Sequence, residues 1–148
     1  MSVPPAVMSA LDLEEFLAAA FPLAPRTYRV EEVTDVGVLM RLPIGDEHER
    51  PGGTVSGPAM MTLADAAAWL ATVSRIGPVA LSVTSSLTIN FLDKPAMADL
   101  WGSAELLKLG RRQSVTQVKL FSDVGGAPGD RLLAQASVTY AIPGDRRL

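Results

Sequence analysis

From position 80 to the end of the chain, apolar and polar residues alternate, whereas the stretch Ser56 to Ser74 is apolar or small almost without interruption. In Ala80 to Leu92 the odd positions Leu81, Val83, Leu87, Ile89 and Phe91 are apolar, broken only by Ser85. The even positions Ser82, Thr84, Ser86, Thr88 and Asn90 are polar. A period of two predicts a strand with one face in the core. Asp99 to Leu109 and Ser114 to Phe121 follow as strands joined through Gly110-Arg111-Arg112. Leu132 to Ile142 then places Leu132, Ala134, Ala136, Val138, Tyr140 and Ile142 on one face. The turns Asp93-Lys94-Pro95 and Gly125 to Gly129 are short, which favours antiparallel neighbours.

Upstream the period changes. Ser9-Ala10-Leu11-Asp12 has the form of a capping box, and Leu13, Phe16 and Leu17 give a helical stripe that Pro22 ends. Tyr28 to Val33 and the alternating Val36, Val38, Met40 and Leu42 predict a hairpin. Gly45 to Gly53 is polar and rich in turn formers, hence a loop. Gly57-Pro58 opens the long central helix, since proline is tolerated in a first turn where its missing N–H has no partner. Arg75, Gly77 and Pro78 close it. A helix apolar on nearly every side must be surrounded, so the strands are expected to wrap it.

Asp65 interrupts this helix as the only charged residue between Arg50 and Arg75. A carboxylate taken out of water costs several kcal/mol, on the order of a small domain's net stability, unless something pairs with it or uses it. It is therefore the leading candidate for a catalytic group. The structural alternative is a buried carboxylate held by backbone or serine hydrogen bonds. His48, flanked by Glu47 and Glu49, reads as a surface residue, and Ser56 as a helix N-cap.

The chain has 148 residues, 48% apolar and 20% charged, with a mean hydropathy of +0.24. This fits one domain over 1–148, with an ordered core from about 9 to 143. Thirteen basic against sixteen acidic residues argue against a nucleic-acid binder relying on a broad positive field. The absence of cysteine removes disulfides, thiolate nucleophiles and cysteine-ligated zinc. The N-terminus lacks the pattern of a secretory signal, and the alanine-rich Ser56 to Ser74 stretch, with Asp65 at its centre, is a poor membrane span. A cytoplasmic protein with no membrane partner is the expectation.

One long helix wrapped by an antiparallel sheet is the layout of an α+β hotdog fold, here with an N-terminal helix. From roughly Ser9 to Pro143 the chain resembles the PaaI-like acyl-CoA thioesterases. Their signature runs like His-x-Asn-x-x-Gly-x-x-His-Gly-Gly, then an acidic residue in a Leu-x-Asp context, and later Asn-Phe-Leu-x-x-Pro. His48, Gly53, Gly57, Leu63-Ala64-Asp65 and Asn90-Phe91-Leu92-Asp93-Lys94-Pro95 fit in order and spacing. Arg50, Ser56 and Pro58 depart from it, standing where the family has Asn or Gln, His and Gly.

The resemblance implies hydrolysis of an acyl-CoA to free acid and CoA. Asp65 would act as general base or nucleophile, the Gly57 N–H would polarise the thioester carbonyl, and Thr84 would come across a dimer interface. Arg50, Ser56 and Asn90 are candidates for substrate contact, and Lys108, Gly110, Arg111 and Arg112 for the CoA phosphates, which guanidinium groups bind in bidentate fashion. No metal or other cofactor is called for. Met60, Met61 and Trp69 are candidates for an acyl pocket. A sheet edge left open by one unit, together with the resemblance, implies a homodimer or homotetramer with the active site at the subunit interface. The alternative is a non-catalytic acyl-CoA or acyl-carrier binding protein.

Overall fold

A computed structural model describes residues 3–22 and 28–144. Helix α1 spans Ala10–Ala20 and is capped by the reciprocal Ser9 and Asp12 hydrogen bonds of a capping box. Strands β1 (Arg29–Val33) and β2 (Gly37–Leu42) form the expected hairpin, and a short ribbon of β3 (Glu49–Arg50) and β4 (Thr54–Val55) folds the loop before the long helix. Helix α2 spans Gly57–Ile76. The remaining strands are β5 (Val83–Phe91), β6 (Leu100–Leu109), β7 (Gln113–Val124), β8 (Ala127–Pro128) and β9 (Ala134–Ala141).

The main sheet has the order β1-β2-β6-β7-β9-β5, with β8 beside β7 and every pairing antiparallel. The hotdog fold is thus present, α2 lying along the core face of β2, β6, β7 and β9. Ala64, Ala67, Ala68 and Ala71, all buried, bring the helix close to the sheet, and Gly102 receives Leu63. A Cβ at Gly102 would stand 3.2 Å from Leu63 Cγ, so the two residues fix the helix-to-sheet distance together. At its C-terminal end the buried Arg75 guanidinium donates to the carbonyls of Pro4, Thr34 and Gly37, tying the N-terminal segment and the first hairpin to α2.

The wrapping is incomplete in one chain. Pro58, Met61 and Thr62 are exposed and Asp65 half-buried, a spacing of three and four that defines one uncovered stripe along α2. The β5 edge beside it is also bare: Leu81 is 70%, Val83 58% and Phe91 50% exposed. Uniform alternation along β5 predicts Leu81 and Val83 in the core, and the structure departs from it. A bulge between Thr84 and Ser86 shifts the register against β9, and an extra residue reverses the faces on either side of it. Leu87 and Ile89 pack on the core, while before the bulge it is Thr84 that turns inward. Ser85, the one break in the alternation, is the extra residue.

Candidate active site

The bulge positions Thr84 opposite Tyr140 of β9 as a direct cross-strand pair, and both hydroxyls reach Asp65. Thr84 Oγ1 donates to Asp65 Oδ1 at 2.7 Å, and Tyr140 Oη donates to the same oxygen at 2.8 Å. Tyr140 Oη also lies 3.3 Å from the Asp65 main-chain oxygen. Asp65 is therefore half-buried and hydrogen-bonded, which differs from the enclosed carboxylate expected from the apolar stretch around it. Thr84 approaches from the same chain, where the resemblance implies a contribution from a partner subunit. Burial pushes the pKa of the Tyr140 phenol up; a hydrogen bond with Thr84 opposes the shift, and the nearby Asp65 charge adds to it. Burial first and Asp65 second push Tyr28 up to about 12.

Asp65, Thr84 and Tyr140 lie on the wall of a cavity of about 960 Å³ between α1, α2 and the end of β5. Leu17, Phe21, Leu42 and Trp69 make its lining largely apolar, and Glu47 and His48 complete it. The Trp69 ring is held between Phe16 and Phe21, with centroids 5.1 and 5.6 Å away. No lysine or arginine is among the described lining residues. The His48 imidazole accepts the Gly45 N–H at Nδ1, 3.0 Å away, and thereby stabilises the turn that carries Glu47.

Gly57 opens onto a different cavity of about 790 Å³, at the N-terminus of α2, with Arg50, Ser56, Pro58, Met60, Phe91 and Lys94. Ser56 is the N-cap, its hydroxyl accepting the Ala59 N–H at 3.3 Å. First-turn N–H groups have no partner inside a helix and the dipole there favours negative charge, so this end suits an oxyanion. A Cβ on Gly57 would meet only Phe91, at the ordinary distance of 3.5 Å; its absence keeps the approach to the helix end open and relieves the restriction that Pro58 places on its predecessor.

The sequence candidates are thus divided. Gly57 and Asp65 are eight residues apart on α2, roughly 12 Å at about 1.5 Å per residue. Asn90 donates to Gln135 on the opposite side of β5 from the core and lines neither cavity. Lys108, Gly110, Arg111 and Arg112 lie at the β6–β7 turn, also outside both cavities. Trp69 lines the first cavity and Met60 the second, while Met61 is exposed and lines neither. Tyr140 is the site residue that sequence patterning alone does not single out. Its signal was a hydroxyl-bearing side chain in the last core-facing positions of a strand otherwise lined by Ala, Val and Leu. Among the described residues no three His, Asp or Glu side chains cluster as metal ligands, and no helix is long and apolar enough to cross a membrane.

The fold recurs in known proteins. The family model of the thioesterase superfamily matches residues 52–128, and the chain belongs to that superfamily. A candidate thioesterase from Silicibacter sp. is 37% identical, with a TM-score of 0.81 over 93% of this chain and 94% of that one. Zebrafish thioesterase superfamily member 2 shares the fold at 20% identity, TM-score 0.75, over 92% of this chain and 99% of its own. A hypothetical thioesterase of Streptococcus pneumoniae, solved with coenzyme A, does so at 23% identity and TM-score 0.67, over 82% and 92% of the two chains. No curated protein matches the sequence significantly.

Proposed function

We propose that the protein hydrolyses acyl-CoA thioesters, with Asp65 supplying the attacking oxygen at a site completed by a second copy of the chain. The observation that carries this is the Asp65 carboxylate, held by two hydroxyls on the wall of an apolar cavity. Water is activated by Asp65, or the carboxylate attacks directly and water opens the resulting anhydride. In both routes the C–S bond breaks and the thiol leaves as CoA. The developing oxyanion needs donors aimed at it, and Gly57 N–H at the open end of α2 fits that role.

One chain cannot use both groups on one carbonyl. A carbonyl about 1.2 Å long, with contacts of about 3 Å at each end, spans roughly 7 Å, well short of the rise separating Gly57 from Asp65. A homodimer packed along the bare stripe of α2 and the β5 edge would bring Gly57 of one copy to Asp65 of the other. The exposed Leu81, Val83 and Phe91 supply apolar surface for it. Pairing of two such dimers gives the homotetramer the resemblance implies.

The acyl group lies in the cavity lined by Leu17, Phe21, Leu42 and Trp69. Its apolar walls and Glu47 favour an uncharged hydrocarbon or aromatic acyl group over a dicarboxylic one, whose second carboxylate would be desolvated without a partner. The S. pneumoniae protein solved with coenzyme A supports CoA as the carrier. Its phosphates engage the cations Lys108, Arg111 and Arg112 at the β6–β7 turn, with Arg50 nearer the helix end. The chemistry draws on no cofactor beyond the CoA of the substrate.

The test is thiol release from short, long, aromatic and dicarboxylic acyl-CoAs by the native protein and by Asp65→Asn. Loss of the carboxylate is expected to lower kcat by about 10² to 10⁴, with melting temperature and oligomeric state retained. Ligand-induced stabilisation without thiol release from any ester would instead identify a non-catalytic binding protein.

A further inference from the structure

Both hydroxyl donors of the site end on one oxygen. Thr84 and Tyr140 are opposed across β5 and β9, and each donates to Asp65 Oδ1. A carboxylate oxygen has about two lone-pair sites, so these bonds occupy Oδ1, and Oδ2 takes part in neither. We infer that Tyr140 is a positioning residue for thioester hydrolysis, fixing Asp65 Oδ1 together with Thr84 so that Oδ2 alone is presented to water or to the thioester carbonyl.

This rests on the acyl-CoA hydrolase function proposed above, and three observations carry it further. Tyr140 is 5% exposed, so its ring is fixed by packing before its hydroxyl makes any bond. Its phenol touches both the side chain and the main-chain oxygen of Asp65, which restrains the carboxylate against rotation on α2. Burial and the Asp65 charge raise its pKa above the usual phenol value, so the proton stays on Tyr140 and the donor persists throughout the neutral range. Thr84, on an exposed edge strand with its direction set by a bulge, is the less constrained of the two. Positioning of this kind matters because a misplacement of about 1 Å costs on the order of 10² in rate.

The experiment compares Tyr140→Phe, Thr84→Val and Asp65→Asn with the native protein for kcat, KM and melting temperature, in the intact oligomer. Tyr140→Phe keeps the packed ring and removes one donor. Its kcat is expected to fall about 10- to 100-fold with KM within about twofold, and its melting temperature to drop by no more than about 5 °C. Asp65→Asn, whose amide oxygen can replace Oδ1 and accept from both hydroxyls, is expected to stay folded and lose turnover.

Native kcat in Tyr140→Phe beside an inactive Asp65→Asn would overturn the positioning role and leave the hydrolase function standing. So would a loss of kcat accompanied by a rise in KM and a large fall in melting temperature, which marks a structural tyrosine. Failure of the native protein to hydrolyse any acyl-CoA would overturn both.

Discussion

The two cavities along α2 differ in the groups that line them. The one beside β5 and α1 holds the Asp65 and Glu47 carboxylates, two phenols and an apolar chamber; the one at the helix N-terminus holds Gly57, at the open end of α2, and the cations Arg50 and Lys94. The first carries the Asp65 carboxylate, with two hydroxyls on it, beside an apolar chamber large enough for an acyl group. The second offers the open helix end and two cations to negative charge, and its one carboxylate, Asp93, is paired with Arg131. About two helical turns separate Asp65 from Gly57 within one chain. In the proposed hydrolase this separation would make turnover depend on a second chain.

Subunit mixing is the strongest way to break this comparison. Gly57→Leu should block the helix end and lower activity about 10²-fold or more, as loss of an oxyanion donor does, and Asp65→Asn should abolish it in the other cavity. Unfolding and reassembling the two inactive variants together at equal amounts should restore about a quarter of native activity if each site draws on two subunits of a symmetric dimer. No recovery, with mixed dimers shown by native mass spectrometry, would mean that both groups serve from one chain after all.

A smaller effect is expected at the cations. Arg111→Ala combined with Arg112→Ala should raise KM for acyl-CoA about 3- to 10-fold and leave KM for the acyl-pantetheine ester unchanged, since exposed charge pairs contribute up to roughly 1 kcal/mol. Arg50→Asn, closer to the helix end, should change kcat more than that difference between carriers. Equal loss on both esters from the hairpin variant would remove it from the CoA site.

The smallest effect separates the cavities by pH. Both tyrosines of the chain line the Asp65 cavity, and Tyr28 ionises near 12 when folded against 10.0 when free. A phenol whose proton is held more tightly in the folded state adds stability that is complete below pH 10.0 and lost progressively as pH rises toward about 12. Urea midpoints should therefore be insensitive to these groups up to pH 10 and fall above it, and the fall should be shallower in Tyr28→Phe. An unchanged slope in that variant would place the alkaline sensitivity elsewhere.

The sequence by itself determined the elements and singled out Asp65 as the candidate for chemistry. A period of two in four runs, a capping box at Ser9, Pro58 in a helical first turn and glycine at position 77 are local signals, and each acts over a few residues through backbone sterics or unpaired N–H groups. Asp65 was legible for a related reason: a lone charge in an apolar helix is costly wherever that helix packs. Tertiary structure decided what surrounds it. The bulge at Ser85 reverses the faces of β5 and aims Thr84 at the helix, and strand register sets Tyr140 opposite Thr84, neither of which a period fixes, because register depends on partner strands far along the chain. The division of Gly57 and Asp65 between two cavities likewise follows from the straightness and rise of one helix against its sheet, a distance that a motif written along the sequence does not contain.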